Sequence, residues 1–175
     1  RARAGYVDGR ACLNELRLTL TTALPVTTAD VTSAGTIYLT PYCGSHISLY
    51  SGSQWHTYST AEVSLALTAT SGKPYDVWAY NNAGTVTLET LVWTNDTNRA
   101  TALAYQNGVL VKSGDATRRY LGSFYASGSN TTEDSLAKRY LWNYYHNVER
   151  PMRRIEGTNS WTYTTDSFHE ANGTT

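Results

Sequence analysis

The sequence has no surplus of charge of either sign: lysine plus arginine and aspartate plus glutamate each count 14 in 175 residues. Without a net field nothing in the chain recruits a polyanion, so neither nucleic acid nor an anionic membrane surface is an expected partner. No apolar run approaches the roughly 20 residues that a membrane-spanning helix needs, and none resembles the apolar region of a signal peptide, so membrane insertion is not expected either. Cysteine is scarce, with Cys12 and Cys43 the only two. With no secretion signal in view, both are expected to be free thiols. Metal-ligand spacing is missing as well: the nearest grouping, Cys43, His46 and His56, lacks a second cysteine or a carboxylate pair in register. The histidines at 46, 56, 146 and 169 stand apart from one another, none beside a nucleophile. No cofactor is therefore expected, and the chain reads as non-enzymatic. A glycan-cleaving centre would have to pair carboxylates from Glu89, Asp96, Glu133 and Asp134, whose separation the sequence does not give.

What the chain does contain is aromatic and β-branched residues. Aromatics reach 12%, with 14 tyrosines and 5 tryptophans, while charged residues make up only 16%. That is the make-up of pleated sheets and aromatic contact faces rather than of helical bundles. The clearest element is a hairpin over residues 75–93: Val77 and Ala79 alternate with Trp78 and Tyr80, and Val86 and Leu88 with Thr85, Thr87 and Glu89. Asn81-Asn82-Ala83-Gly84 supplies the turn. Further strands are expected at 16–20, 36–40, 47–50, 55–58, 62–67, 109–112 after the Asn107-Gly108 turn, 118–125, 152–155 and 161–164. Residues 126–132 read as a polar loop, as do the threonines and Asp30 between Pro25 and Thr36, and 99–105 as extended or weakly helical. Short strands punctuated by glycine and proline every 8 to 12 residues predict an all-β fold, an antiparallel, jelly-roll-like β-sandwich. Val77, Ala79, Val86, Leu88, Leu18 and Leu20 are expected to face inward. The domain plan is an N-terminal arm or connector over 1–15 and a single sandwich domain over 16–175.

Residues 133–148 are ambiguous. As a short helix they would carry Leu136, Tyr140, Tyr144 and Val148 on one stripe; as a strand they put Tyr140, Trp142, Tyr144 and His146 on one face, and the Trp and Tyr content favours the strand. The candidate contact residues are aromatic, because such side chains bring large area at low entropy cost to sugar rings and interfaces. They are Trp55, Trp78, Trp142, Tyr144 and Tyr145, taken from a wider set that also holds Tyr58, Tyr80, Trp93 and Trp161. Arg118-Arg119 and Arg150 to Arg154 read as salt-bridged or edge-protecting cations. Asn95, Asn130 and Asn172 begin glycosylation sequons.

Several blocks succeed one another in a telling order: Leu18-Thr-Leu-Thr-Thr, Ile37-Tyr-Leu-Thr-Pro-Tyr42, Ile47-Ser-Leu-Tyr-Ser-Gly52 with Trp55, Tyr75-Asp-Val-Trp-Ala-Tyr80, Gly108-Val-Leu-Val-Lys-Ser-Gly114, Arg118-Arg-Tyr-Leu-Gly122, Trp142-Asn-Tyr-Tyr145 and Ser160-Trp-Thr-Tyr-Thr-Thr165. Together they resemble a module of tailed-bacteriophage and prophage virion proteins, of the tail-fibre or minor structural type, over about residues 16 to 172. The resemblance implies a non-enzymatic protein of the phage particle surface that contacts a host receptor. It further implies a homo-oligomer, a trimer by preference, with aromatic residues around 142–145 at or near the seam, and other virion proteins and a host surface glycan as partners. A capsid decoration or head-fibre protein and a glycan depolymerase domain are the alternative readings, and the resemblance brings no catalytic residues with it.

Overall fold

The computed structural model describes residues 11–153. Among them lie thirteen strands and no helix: β1 (Leu16–Thr19), β2 (Val31–Ala34), β3 (Thr36–Pro41), β4 (His46–Tyr50), β5 (Trp55–Ser59), β6 (Val63–Ala66) and β7 (Pro74–Asn82). They continue with β8 (Thr85–Val92), β9 (Leu103–Gln106), β10 (Val109–Lys112), β11 (Asp115–Gly128), β12 (Thr131–Asp134) and β13 (Leu141–Asn143). All pairings are antiparallel, and the sheets pack as a β-sandwich, as the alternation of the sequence predicts.

One layer is a three-stranded sheet in the order β1-β3-β6, flanked by the β4-β5 hairpin. The other is a large sheet organised around β11. One edge of β11 is taken by β7, from Arg119 opposite Ala79 to Tyr125 opposite Pro74; the other edge is taken in turn by β10, β13 and β12. Strand β8 extends the sheet beyond β7, in unbroken register from Tyr75 opposite Val92 to Asn82 opposite Thr85. The β7-β8 turn is two residues long and both have positive φ, Ala83 at 49° and Gly84 at 95°. That is the twist a tight hairpin needs, and Gly84 N–H completes the turn by donating to Asn81 Oδ1 at 2.8 Å. The β9-β10 turn repeats it with Asn107 and Gly108.

The core lies between the layers. Leu16, Leu18, Leu20, Ile37, Leu39, Ile47, Leu49, Tyr75, Val77, Ala79, Val86, Leu88, Leu121, Phe124 and Ala126 belong to one hydrophobic cluster, so all six residues expected to face inward do so. A register shift in β11 changes which of its residues share a face. Tyr120 faces Trp78 and Gly122 faces Val77, leaving Leu121 as an extra residue that also enters the core. The bulge keeps Tyr120 and Ser123 on the outer face although they are three residues apart.

Four expectations are corrected. Residues 133–148 are neither one helix nor one strand: β12 ends at Asp134, a turn follows, and β13 begins at Leu141. Ser135 Oγ donates to Glu133 and accepts from Lys138 N–H, and these local bonds reverse the chain. Residues 126–132 are not a loop, because β11 and β12 form a hairpin closed at Asn130, whose φ is 56°. Residues 31–34 are a strand where a loop is expected, added to the edge of β12. Met152 and Arg153 are not in a strand; the rest of that segment and 161–164 lie outside the described residues.

Residues 11–15, the end of the expected arm, are fastened to their own domain. Asn14 bridges to Ile47, Ser48 N–H donates to Leu13 O at 3.0 Å and Glu15 N–H to His46 O at 2.9 Å. The Glu15 carboxylate also accepts from His46 Nδ1 at 2.9 Å, which holds it below the usual carboxylate range.

Candidate binding face

The outer face of the large sheet is built around aromatic rings, whereas the inner one is mostly aliphatic with Tyr75 and Phe124 stacked within it. Residues that alternate with the core, Trp78 on β7 and Tyr120 on β11, point outward and form a second small cluster with Leu110, supported by Leu91 and Leu103. Trp78 is fully buried at its centre, its ring 5.4 Å from that of Tyr120 in an edge-on contact. Its cover comes from Leu103 on β9 and Leu110 on β10. Beside it the segment after β8 folds back so that the Arg99 guanidinium lies 4.3 Å from the Trp93 ring and 5.7 Å from the Tyr120 ring. Cation–π contacts of this kind strengthen as water is excluded.

What fixes Arg99 is Asp76. This carboxylate sits in the middle of β7, 1% exposed, on the outer side opposite Ser123. It accepts from Arg99 Nε at 3.1 and 3.2 Å and from Ser123 Oγ at 2.8 Å, and Ser123 Oγ is in turn 2.7 Å from the Tyr120 hydroxyl. A buried carboxylate is tolerated only with such partners, and each of them here also packs against an aromatic ring or shares its hydrogen bond with one.

Between this floor and β13 opens a cleft of about 350 Å³, lined by Pro74, Trp93, Asp96, Arg99, Tyr120, Ser123, Tyr125 and Trp142. Its far wall exists because of Gly122: a Cβ there would lie 2.0 Å from the Trp142 carbonyl oxygen, so only glycine lets β13 close onto β11. That pairing sets Trp142 opposite Ser123, above the cleft, and turns Asn143 inward, where its amide bonds both Leu18 N–H and Leu18 O. Trp142 remains 49% exposed. Its ring continues an aromatic row, 6.4 Å from Tyr140, which is 5.1 Å from Tyr125.

Next along the chain, Tyr144 and Tyr145 straddle the sheet. Tyr144 goes outward, 45% exposed and 5.8 Å from Tyr120; partial burial and the neighbouring Tyr105 push its phenol pKa up. Tyr145 goes inward and meets Arg119, whose guanidinium carbon lies 4.7 Å from its ring. Burial raises the Tyr145 pKa against the opposing pull of that cation.

Arg119 corrects the reading of Arg118-Arg119 as salt-bridged or edge-protecting cations. Arg118 does form ion pairs, with Glu89 at 3.0 Å and Asp115 at 3.6 Å, under the ring of Tyr80. Arg119 is fully buried, and its partners are main-chain carbonyls: Ala11 at 3.2 Å, Cys12 at 3.1 Å, Leu13 at 2.8 Å and Ser48 at 2.7 Å. Desolvation lowers its pKa, but five donors in a planar fork satisfy four acceptors that no other residue type could reach together. Its work is to pin residues 11–13 to β4.

The five candidate aromatics thus divide. Trp142 and Tyr144 stand on the outer surface, Tyr145 and Trp55 flank Arg119, and Trp78 is withdrawn from any contact role because its ring is core. Trp55 packs at a tilt against Tyr50 and donates through Nε1 to Asn107 Oδ1 at 3.1 Å, bracing two hairpins. Arg99, Asp76, Tyr120 and Ser123 carry no sequence pattern that singles them out; the one available signal is the lone acid of Tyr75-Asp-Val-Trp, a carboxylate inside an aromatic strand. The carboxylates considered for glycan cleavage are dispersed: Glu89 pairs with Arg118 and Lys112, Glu133 with Lys138, and Asp134 with Arg139 and Arg150, while Asp96 lines the cleft. Cys12 and Cys43 are exposed free thiols. Among the described residues there is no group of three or more potential metal ligands and no helix long and apolar enough to cross a membrane. Comparison with protein-family models, curated proteins and solved structures returned no match.

Proposed function

We propose that this chain is a non-enzymatic surface module of a phage particle, of the tail-fibre or receptor-contacting type. The observation that carries this reading is the outer face: a sandwich layer whose exposed side leaves Trp142, Tyr144 and Tyr105 at the surface, with Trp142 at the rim of a cleft lined by aromatic rings. Large aromatic side chains left at a surface mark contact sites. The ordered sequence blocks that resemble virion modules support the same conclusion and extend it to a trimer. Trp142, which lines the cleft beside polar groups, serves ligand contact. Tyr105, 70% exposed on the edge strand β9, and its neighbour Tyr144 serve the subunit seam.

Immunogold labelling of purified particles with an antibody to the expressed chain tests the location. Regular labelling of the particle surface is expected, and an antigen confined to the soluble lysate would refute it. Sedimentation at tens of micromolar tests the assembly, with a trimer expected and a monodisperse monomer contradicting it.

A further inference from the structure

We propose that the cleft between the segment after β8 and strand β13 binds a neutral pyranose, stacked on Trp142 and hydrogen-bonded by Asp96 and Arg99. The proposal deepens the surface-contact reading and rests on it. Three features select this ligand class. The walls are aromatic, and the C–H face of a sugar ring is the apolar surface that flat indole and phenol rings match best. The polar groups are few and convergent, as ligand sites require, and the volume of about 350 Å³ is near the lower end of the usual range of about 300 to 1,000 Å³, room for one or two rings rather than a long chain.

Charge decides the rest. The one cation lining the cleft, Arg99, is already neutralised by buried Asp76, and Asp96 then leaves the site with one net negative charge. An acidic sugar or a phosphate would bring a second anion to a guanidinium whose Nε is spent on Asp76 and would face Asp96 unpaired. A neutral ring meets no such penalty, because its hydroxyls donate to the Asp96 carboxylate and accept from the remaining guanidinium N–H groups. Arg99 needs no rearrangement to do this, being already held by Asp76, Trp93 and Tyr120.

The test uses saturation-transfer NMR on the full chain with millimolar methyl glycosides of glucose, galactose, mannose and N-acetylglucosamine, and methyl glucuronide as the acidic comparison. Transfer to at least one neutral glycoside is expected, weakened about tenfold or more in Trp142→Ala and clearly weakened in Asp96→Asn. Circular dichroism of both variants should match the parent, since both side chains stand at the surface. Absence of transfer to every neutral glycoside, transfer unchanged in Trp142→Ala, or preference for the glucuronide would each overturn the proposal. Failure here with positive particle labelling removes only the sugar site; glycoside binding by a chain absent from particles removes only the virion reading.

Discussion

The two faces of the large sheet solve the problem of burial differently. The inner face is mostly aliphatic: Val77, Ala79, Val86, Leu88 and Leu121 pack against Leu16, Leu18, Ile37 and Leu39, with the Tyr75–Phe124 ring stack among them and buried Arg119 beside Tyr145 at its margin. The outer face is built from rings, a buried carboxylate and a guanidinium, and it leaves the indole N–H of Trp78 and of Trp93 without a hydrogen-bond partner among the described residues. Such donors cost stability that an aliphatic layer would not lose. Unpartnered donors occur on the inner side as well, at Arg119 Nε and Tyr145 Oη, so what separates the two faces is exposure: the inner one is covered, while the outer one leaves Trp142, Tyr144 and Tyr105 at the surface.

Large effects should come from the inner face. Phe124→Ala, which removes a fully buried ring stacked 5.0 Å from Tyr75, is expected to cost about 3 to 5 kcal/mol. Leu88→Ala should fall in a similar range of about 2 to 5 kcal/mol, both read from urea unfolding at a fixed m-value. Arg119→Met should cost about 3 kcal/mol or more, because it strands several buried carbonyls at once. Hydrogen exchange should then show residues 11–13 released while β7 and β11 stay protected, and uniform loss of protection would contradict the pinning role.

Smaller effects sharpen the picture at the periphery. Burial pushes the Glu62 carboxyl up, but hydrogen bonds from Thr22 Oγ1 at 2.5 Å, Thr40 Oγ1 at 2.6 Å and Ala23 N–H at 2.6 Å outweigh it and hold the group below its usual range. A depressed folded-state value means the contribution is fully present above about pH 4.5 and is lost as pH falls through the lower folded value. Glu62→Gln should flatten the stability–pH curve in that acidic window, and an unchanged curve would show that the clamp contributes nothing. Ala83 holds a positive φ that glycine adopts freely, so Ala83→Gly should raise stability by about 0.5 to 1 kcal/mol, against the usual cost of adding glycine.

The inner face was legible because burial on a strand writes itself as a period of two. Val77-Trp-Ala-Tyr80 and Val86-Thr-Leu88 could be assigned to faces without coordinates, and Asn107-Gly108 announced its turn. The outer face was not legible for the same reason: with both sides of β7 occupied by large apolar residues, alternation does not say which aromatic is core and which is surface. Trp78 and Trp142 look alike in sequence, yet one is covered by a segment more than ten residues downstream and the other stands on a three-residue strand. The bulge at Leu121 shifts the parity of β11, so Tyr120 and Ser123 share a face that a strict period of two denies them. Arg119 was hidden because its partners are main-chain atoms contributed by residues about seventy to a hundred positions away.

The partition of the outer face into a supporting layer and a presented one is tested most directly by comparing thermal unfolding of Trp78→Ala and Trp142→Ala. Trp78→Ala should lose about 3 to 5 kcal/mol and many degrees of Tm, as removal of a buried tryptophan does. Trp142→Ala should stay within about 0.5 kcal/mol of the parent, as surface changes do. Equal destabilisation by the two would mean that Trp142 belongs to the packing of the sheet, and the presented face would have to be given up.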